Sequence, residues 1–309
     1  MKALFLINPK AGRGTALKTW RRIEPLVAGE RQAEAVIPES AAATRKAAAD
    51  AARAGYDRVV VVGGDGTLAA VAGELAMTET ALAVVPAGTG NDFCRNSGIS
   101  RRPEEALRVA LGAHTQRIDL GQAAGGRCFL NAAGIGFDAE VAAAAGAFPD
   151  GLGGNLPYLL GAFATLSRYR PVEAEVNVDG QRYAGTMTMI AVANGRYYGG
   201  GMQIAPSARR DDGLVDVYIA EGMGPLQILG LLPRVYGGSH VKSPMVHVLR
   251  GQHVKIQVGA PVRAHLDGEP LLWETLSFTA RPQALSVTMP PDGAAGEWAA
   301  PPAARGLRD

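Results

Sequence analysis

A carboxylate inside a glycine turn is the first group in this chain placed to do chemistry. Gly63-Gly64-Asp65-Gly66-Thr67 follows the run Val59-Val60-Val61-Val62. Four consecutive β-branched residues predict a strand buried on both faces, as in a parallel sheet. Glycines at its carboxyl end let the backbone turn sharply and let amides approach a ligand. The residues from Thr67 to Leu75 predict a helix whose positive end faces the turn. Strand, turn and helix together suit a phosphate group, and Asp65 adds a hard oxygen ligand suited to Mg²⁺. The same residues also fit a plain turn in which the aspartate caps the helix. Two related loops follow apolar runs: Asn8-Pro9-Lys10-Ala11-Gly12-Arg13-Gly14 after Ala3–Ile7, and Ala87-Gly88-Thr89-Gly90-Asn91-Asp92-Phe93 after Ala81–Pro86.

These loops need a frame that gathers them. Helices are expected from Thr15 to about Leu26, over residues 41–54 and over Pro103–Leu111, with a short strand near residues 33–37. Strands alternating with helices predict a parallel α/β sheet, whose ligands bind beyond the carboxyl ends of the strands. All three loops then share one rim. After about residue 120 the pattern changes to β-rich runs at residues 173–178, 186–193, 214–220, 253–258, 262–266, 276–280 and 284–289. Helices are expected near residues 157–169 and 226–237. The predicted architecture is an α/β domain over residues 1–122 and a β-rich, sandwich-like domain over 123–289. The final strand is free to return to the first domain, and residues 290–309 read as a flexible Pro/Ala/Gly-rich tail.

Composition excludes several classes. The net charge of +2 over 309 residues is too small to predict a nucleic-acid partner. The two cysteines, Cys94 and Cys128, lack paired spacing, so free thiols and a reducing compartment are expected. Asn8-Pro9 interrupts the N-terminal apolar run too early for a signal peptide, and no run approaches the ~20 residues of a membrane span. A cytoplasmic protein is the expectation. The five histidines have no zinc spacing, and neither Gly-x-Ser-x-Gly nor a Walker A loop is present.

Five motifs in order carry a resemblance: Asn8-Pro9 with Gly12 and Gly14; Gly63 to Thr67; Gly88 to Phe93; Asp211-Asp212-Gly213-Leu214-Val215-Asp216; and Asp267-Gly268-Glu269. The series resembles the diacylglycerol kinase catalytic family, which also holds sphingosine and ceramide kinases and bacterial lipid kinases. The glycine–aspartate turn alone is shared with NAD kinases and phosphofructokinases; the segment from Gly88 to Phe93 and the late Asp-Gly-Glu separate this family from them. The resemblance implies an NAD-kinase-like fold, ATP as phosphoryl donor and Mg²⁺ as cofactor. It assigns Asn8, Pro9, Lys10, Ala11, Gly12, Gly64, Asp65, Gly66, Thr67, Thr89 and Asn91 to the nucleotide. It assigns Asp65, Asp92 and Glu269 to a catalytic Mg²⁺, partly through water, and Asp267 to the general base. A structural Mg²⁺ is implied at Asp212 with the carbonyls of Arg209 and Leu214. The implied acceptor is a lipid, diacylglycerol first, with peripheral membrane contact and a homodimer compatible with it.

Taken alone, Asp267-Gly268 equally signals a hairpin. Asn194-Gly195 with Gly199-Gly200-Gly201 fits either a mobile loop or a ligand contact, and Phe129 to Asp138 fits packing with Asn131 as a polar anchor. One departure stands out: the family continues the glycine turn with Leu-Asn-Glu, whereas here Leu68 is followed by Ala69 and Ala70. Two other functions share the pattern: a kinase for a small soluble alcohol, and a nucleotide sensor without catalysis.

Overall fold

The computed structural model describes residues 1–29, 32–145, 156–166 and 168–291. Most of the expected tail, residues 292–309, lies outside them. The N-terminal lobe is built as its pattern predicts. Strands β1 (Ala3–Ile7), β2 (Ala33–Val36), β3 (Arg58–Gly63) and β4 (Ala81–Pro86) pair in parallel in the order β2-β1-β3-β4. Every residue of β1, β3 and β4 is buried, which explains their unbroken apolar runs. Helices α1 (Thr15–Val27), α2 (Ala41–Arg53), α3 (Asp65–Leu75), α4 (Asp92–Ser97) and α5 (Pro103–Leu111) connect or follow them. Ser40 caps α2 by accepting the Ala43 N–H at 3.1 Å.

The C-terminal lobe is antiparallel. It follows β5 (Thr115–Ala123), whose Ile118 and Leu120 belong to the N-terminal core, and contains β6 (Cys128–Phe129), β7 (Ala132–Gly136), α6 (Phe137–Ala145), α7 (Leu156–Leu166), β8 (Val172–Val178), β9 (Gln181–Ala193), β10 (Val215–Glu221), α8 (Pro225–Val235), β11 (Val246–Gly251), β12 (His253–Leu266) and β13 (Glu269–Thr288). Two pairs of expected strands are fused. Residues 253–258 and 262–266 form one strand with a register shift between Gln257 and Val262, at Pro261. Residues 276–280 and 284–289 both fall along β13, whose register shifts between Arg281 and Leu285. There Pro282 offers no amide, Gln283 takes a φ of 47°, and its N–H is collected by Asp119 Oδ1 at 2.7 Å. Strands β5, β6, β7 and β11 and helices α4 and α6 were not expected.

Strand β13 joins the lobes. Its start pairs with β12, its end pairs with β5, and Val287 lies parallel to Leu82 of β4. Leu285, Val287 and Met289 belong to the same apolar core as Phe5, Val60 and Leu82. A second core fills the C-terminal lobe around Ile135, Val176, Ile190, Val217, Ile256 and Phe278.

Candidate active site

The three loops of the N-terminal lobe meet as expected, and backbone packing is the reason for several of their glycines. A Cβ on Gly12 would stand 2.1 Å from the Ala87 carbonyl oxygen, and one on Gly88 would stand 2.5 Å from the Gly64 Cα. Asn8 Nδ2 donates to Thr67 Oγ1 at 2.8 Å, tying the first loop to the second. Asn91 closes its own loop by accepting from Gly88 N–H at 2.9 Å and donating to the Gly88 carbonyl at 2.8 Å. Gly66 differs: a Cβ there meets nothing within 4 Å. It begins α3 beside Asp65, where the N-cap Gly64 offers no side chain to the first amides.

The carboxylates converge on this cluster. Asp65 accepts the N–H groups of Asp92 at 3.0 Å and Phe93 at 2.9 Å. Asp92 is paired with Arg95 at 2.6 Å and accepts the Gly200 N–H at 2.7 Å, so the Gly199–Gly201 segment reaches the site through its backbone. A Cβ on Gly90 would lie 3.1 Å from Asp65 Oδ2 and 3.4 Å from Asp92 Oδ2, so the two carboxylates flank one point. Burial raises the Asp65 carboxyl above its ordinary value. Burial, followed by the charge of Asp65, pushes Asp92 up to about 6.

Asp267 arrives from the other lobe, in the turn between β12 and β13 with a φ of 45°. Its Oδ2 accepts from Leu130 at 2.6 Å, and its Oδ1 accepts from Asn131 at 2.9 Å and Ala132 at 3.0 Å. Burial pushes its carboxyl up to about 6 against these three amides, with Asp65 adding to the rise. Asp267 is therefore a clasp for the residue 130–132 backbone as well as a titrating group. Glu269 also lines the cleft, but its exposed carboxylate is paired with Arg127 at 2.7 Å.

One cavity of 610 Å³ runs from this carboxylate end into the C-terminal lobe. Asp65, Gly66, Thr89, Gly90, Asp92, Asp267 and Glu269 line one part. Phe137, Val141, Met189, Met223, Ile228 and Leu231 line another. Asn8, Pro9, Lys10, Ala11, Gly12, Gly64, Thr67 and Asn91 belong to the loop cluster without lining the cavity. Of the two alanines of the departure, Ala70 lines it, as do Ala41 and Arg45 of α2, and Ala69 does not. Asn131 does anchor the cleft: its Oδ1 accepts from Asn96 at 3.0 Å.

A buried trio beside Asp267 was not singled out from sequence. His265 Nε2 lies 3.3 Å from Asp138 Oδ2, Tyr198 OH donates to the same oxygen at 3.1 Å, and His265 Nδ1 accepts the Gly268 N–H at 3.3 Å. Its signal was the histidine two residues before Asp267 in a strand. Arg95, which pairs with Asp92, was missed as well; it follows Asp92 by one helical turn.

The second loop is neutralised within the protein. Asp212 is ion-paired with Arg250, and its Oδ1 accepts the Leu214 N–H at 3.1 Å; Arg209 pairs with Asp211 at 3.1 Å. Arg250 and Arg209 supply positive charge there. Among the described residues no three His, Cys, Asp or Glu side chains are grouped to hold a metal by themselves. Asp65 and Asp92 fit a cation that also takes oxygens from a phosphate and water: two carboxylates converge in a desolvated site, with Arg95 paired to Asp92.

Comparison with known proteins decides the family. Residues 2–123 match the diacylglycerol kinase catalytic domain, and residues 131–289 match the YegS C-terminal NAD kinase beta sandwich-like domain. The chain belongs to the diacylglycerol kinase catalytic family. A "Probable lipid kinase YegS-like" of Pseudomonas fluorescens (strain Pf-5) is 36% identical over 248 residues, covering 79% of this chain and 81% of the relative. A "Diacylglycerol kinase" of Mycobacterium tuberculosis is 31% identical over 301 residues, covering 94% and 96%. A crystal structure of a diacylglycerol kinase from Bacillus anthracis str. Sterne shares the fold, with a TM-score of 0.72 at 22% identity over 94% of this chain and 97% of that one. Like the family's two-part architecture, this chain joins an α/β catalytic domain to a sandwich-like one. Among its described residues no helix is long and apolar enough to cross a membrane.

Proposed function

We propose that this member of the family is an ATP- and Mg²⁺-dependent lipid kinase that phosphorylates a hydroxyl of diacylglycerol or a related lipid in the cytoplasm. The observation that carries this reading is one cavity lined by both carboxylates and apolar side chains. A polar alcohol has no use for the wall formed by Phe137, Met189, Ile228 and their neighbours. A sensor has no use for a carboxyl poised near neutrality beside the acceptor space.

Residues 1–122 would hold the nucleotide through the amides of Asn8–Gly12 and Gly64–Thr67, with Thr89 and Asn91 completing the rim. Residues 123–289 would bring Asp267 across the cleft. When bound between Asp65 and Asp92, Mg²⁺ would neutralise charge on the triphosphate. The acceptor oxygen forms a bond to the γ-phosphorus, the bond from that phosphorus to the β,γ-bridging oxygen breaks, and ADP leaves. Asp267 takes the hydroxyl proton; at about 6 its carboxyl is ionised at neutral pH and still basic enough to serve. For Glu269 to serve the same chemistry it must first leave Arg127. Asp65, Asp92 and Asp267 are the residues we assign to the reaction centre.

The test is an acceptor screen with labelled ATP, short-chain diacylglycerol, sphingoid bases and polar alcohols, read by mass spectrometry of the product. Phosphorylated diacylglycerol or sphingoid base is the expected outcome. Product from a polar alcohol alone would remove the lipid reading, and ATP binding with no ADP from any acceptor would leave a sensor. Ile228→Trp, which fills the apolar end, should depress turnover of long-chain acceptors while leaving ATP affinity unchanged.

A further inference from the structure

We propose that α7 and α8 form a docking face for an anionic bilayer surface, positioned to admit the lipid acceptor from the membrane into the cavity. The inference rests on the lipid reading of the cavity and adds the surface by which the enzyme reaches its substrate.

Helix α8 reads PLQILGLLPRV, yet only Ile228 is buried. Leu231, Leu232 and Val235 face the cavity, whereas Leu226 is 85% and Leu229 40% exposed to solvent. A helix apolar on all sides belongs in a core or in lipid. Here one side of it forms a wall of the cavity and the other has no cover. Ala162 of α7 and Ile228 of α8 belong to one apolar cluster, together with Phe137, Val141 and Met223, and Phe163 of α7 is 50% exposed. Both helices therefore present large apolar side chains to solvent while belonging to the cluster that supplies Phe137, Val141 and Met223 to the cavity wall.

Charge points to the partner. Residues 156–172 and 222–266 contain no aspartate or glutamate. Arg168, Arg170, Arg234 and Lys242 flank the helices and are exposed, and among the described residues none of them pairs with a carboxylate. Exposed leucine and phenylalanine on segments that also carry these arginines and the lysine suit the headgroup and acyl boundary of an anionic leaflet, with Glu173 and Glu221 standing at the edges of the two segments. A long-chain acceptor resides in that leaflet, so a cavity wall that touches it shortens the path out of the bilayer.

Flotation with extruded vesicles, without nucleotide or acceptor, isolates this step from catalysis. The wild-type protein should float with phosphatidylcholine vesicles containing one-third phosphatidylserine. It should bind pure phosphatidylcholine at least about tenfold less, and added salt should weaken the anionic binding. Leu226→Ser/Leu229→Ser and Arg234→Glu/Lys242→Glu should each lower binding by about tenfold or more. Both pairs are exposed and lie off the cavity lining, so thermal unfolding and turnover of a dispersed short-chain acceptor should stay unchanged. Wild-type protein that remains unfloated, or variants that bind as well as wild type, would overturn the proposal. So would a concentration-dependent dimer that the leucine pair dissociates without any vesicle binding, since a second copy would then be the cover. Failure here with a positive acceptor screen would leave the kinase reading intact; flotation with a negative screen would do the reverse.

Discussion

Asp267 holds three backbone amides and lines the cavity, so loss of activity on its replacement has two sources that must be separated. Asp267→Asn should lower turnover by about 10²–10⁴, the range expected for a general base, while ATP affinity changes little. Glu269→Gln should cost less than about tenfold if its partner remains Arg127. The reverse ranking would move the base to Glu269. The pH profile supplies an independent check. A base acts when deprotonated, so kcat/KM should rise with pH and level off above about 6, the value to which burial pushes Asp267. A flat profile from pH 5 to 8 would contradict the assignment. Stability carries the opposite sign. Asp92 and Asp267 are raised from 3.8 to about 6 by burial, so the folded chain holds those protons more tightly than the unfolded one. Their contribution is complete below about pH 4 and is lost as pH climbs through 6. The Tm of ligand-free protein should therefore fall between pH 5 and 7.5, and Mg²⁺ with ATP should shrink that fall. Asp65→Ala should weaken Mg²⁺-ATP binding in calorimetry; unchanged affinity would remove Asp65 from the metal site.

Among the elements, the glycine loops separate two demands that look alike in the sequence. Gly88→Ala should destabilise the fold by about 1–3 kcal/mol, because the added methyl group meets the Gly64 backbone. Gly66→Ala should change stability by less than about 0.5 kcal/mol, since nothing lies within 4 Å of its Cβ. It should still weaken ATP binding if phosphate approaches the start of α3. Equal unfolding midpoints for the two variants would refute the packing account of Gly88. The sequence marked both residues as glycines after strands, and only the position of the neighbouring loop distinguishes them. Helix α4 escaped notice for a similar reason: it starts from Asn91 in a left-handed conformation, with Asp65 accepting its first amides from another element. Strand β5, with Gln116, Arg117, Asp119 and Gln122 among its residues, lacks a clean alternation, and its pairing with β13 places it.

At the scale of the whole molecule, β13 makes the two lobes interdependent. Its end supplies Leu285 and Val287 to the N-terminal core, which Met289 joins just beyond it, and is the partner of β5. Residues 1–124 expressed alone should therefore lack a cooperative thermal transition, and adding residues 269–291 as a separate peptide should partly restore one; a cooperatively folding fragment would show that the return strand is dispensable. The sequence by itself determined the parallel sheet, the shared rim of three loops and the β-rich character of the second half. These depend on local periodicity and on turn residues, which act between near neighbours. It also marked Asp65, Asp92 and Asp267. Only the tertiary structure decided that Asp65 and Asp92 flank one point, that Arg127 holds Glu269, that Arg250 neutralises Asp212, and that α8 leaves a side uncovered. Each of these depends on which distant segments become neighbours, and charge pairing and burial are set by that distance in space rather than by spacing along the chain.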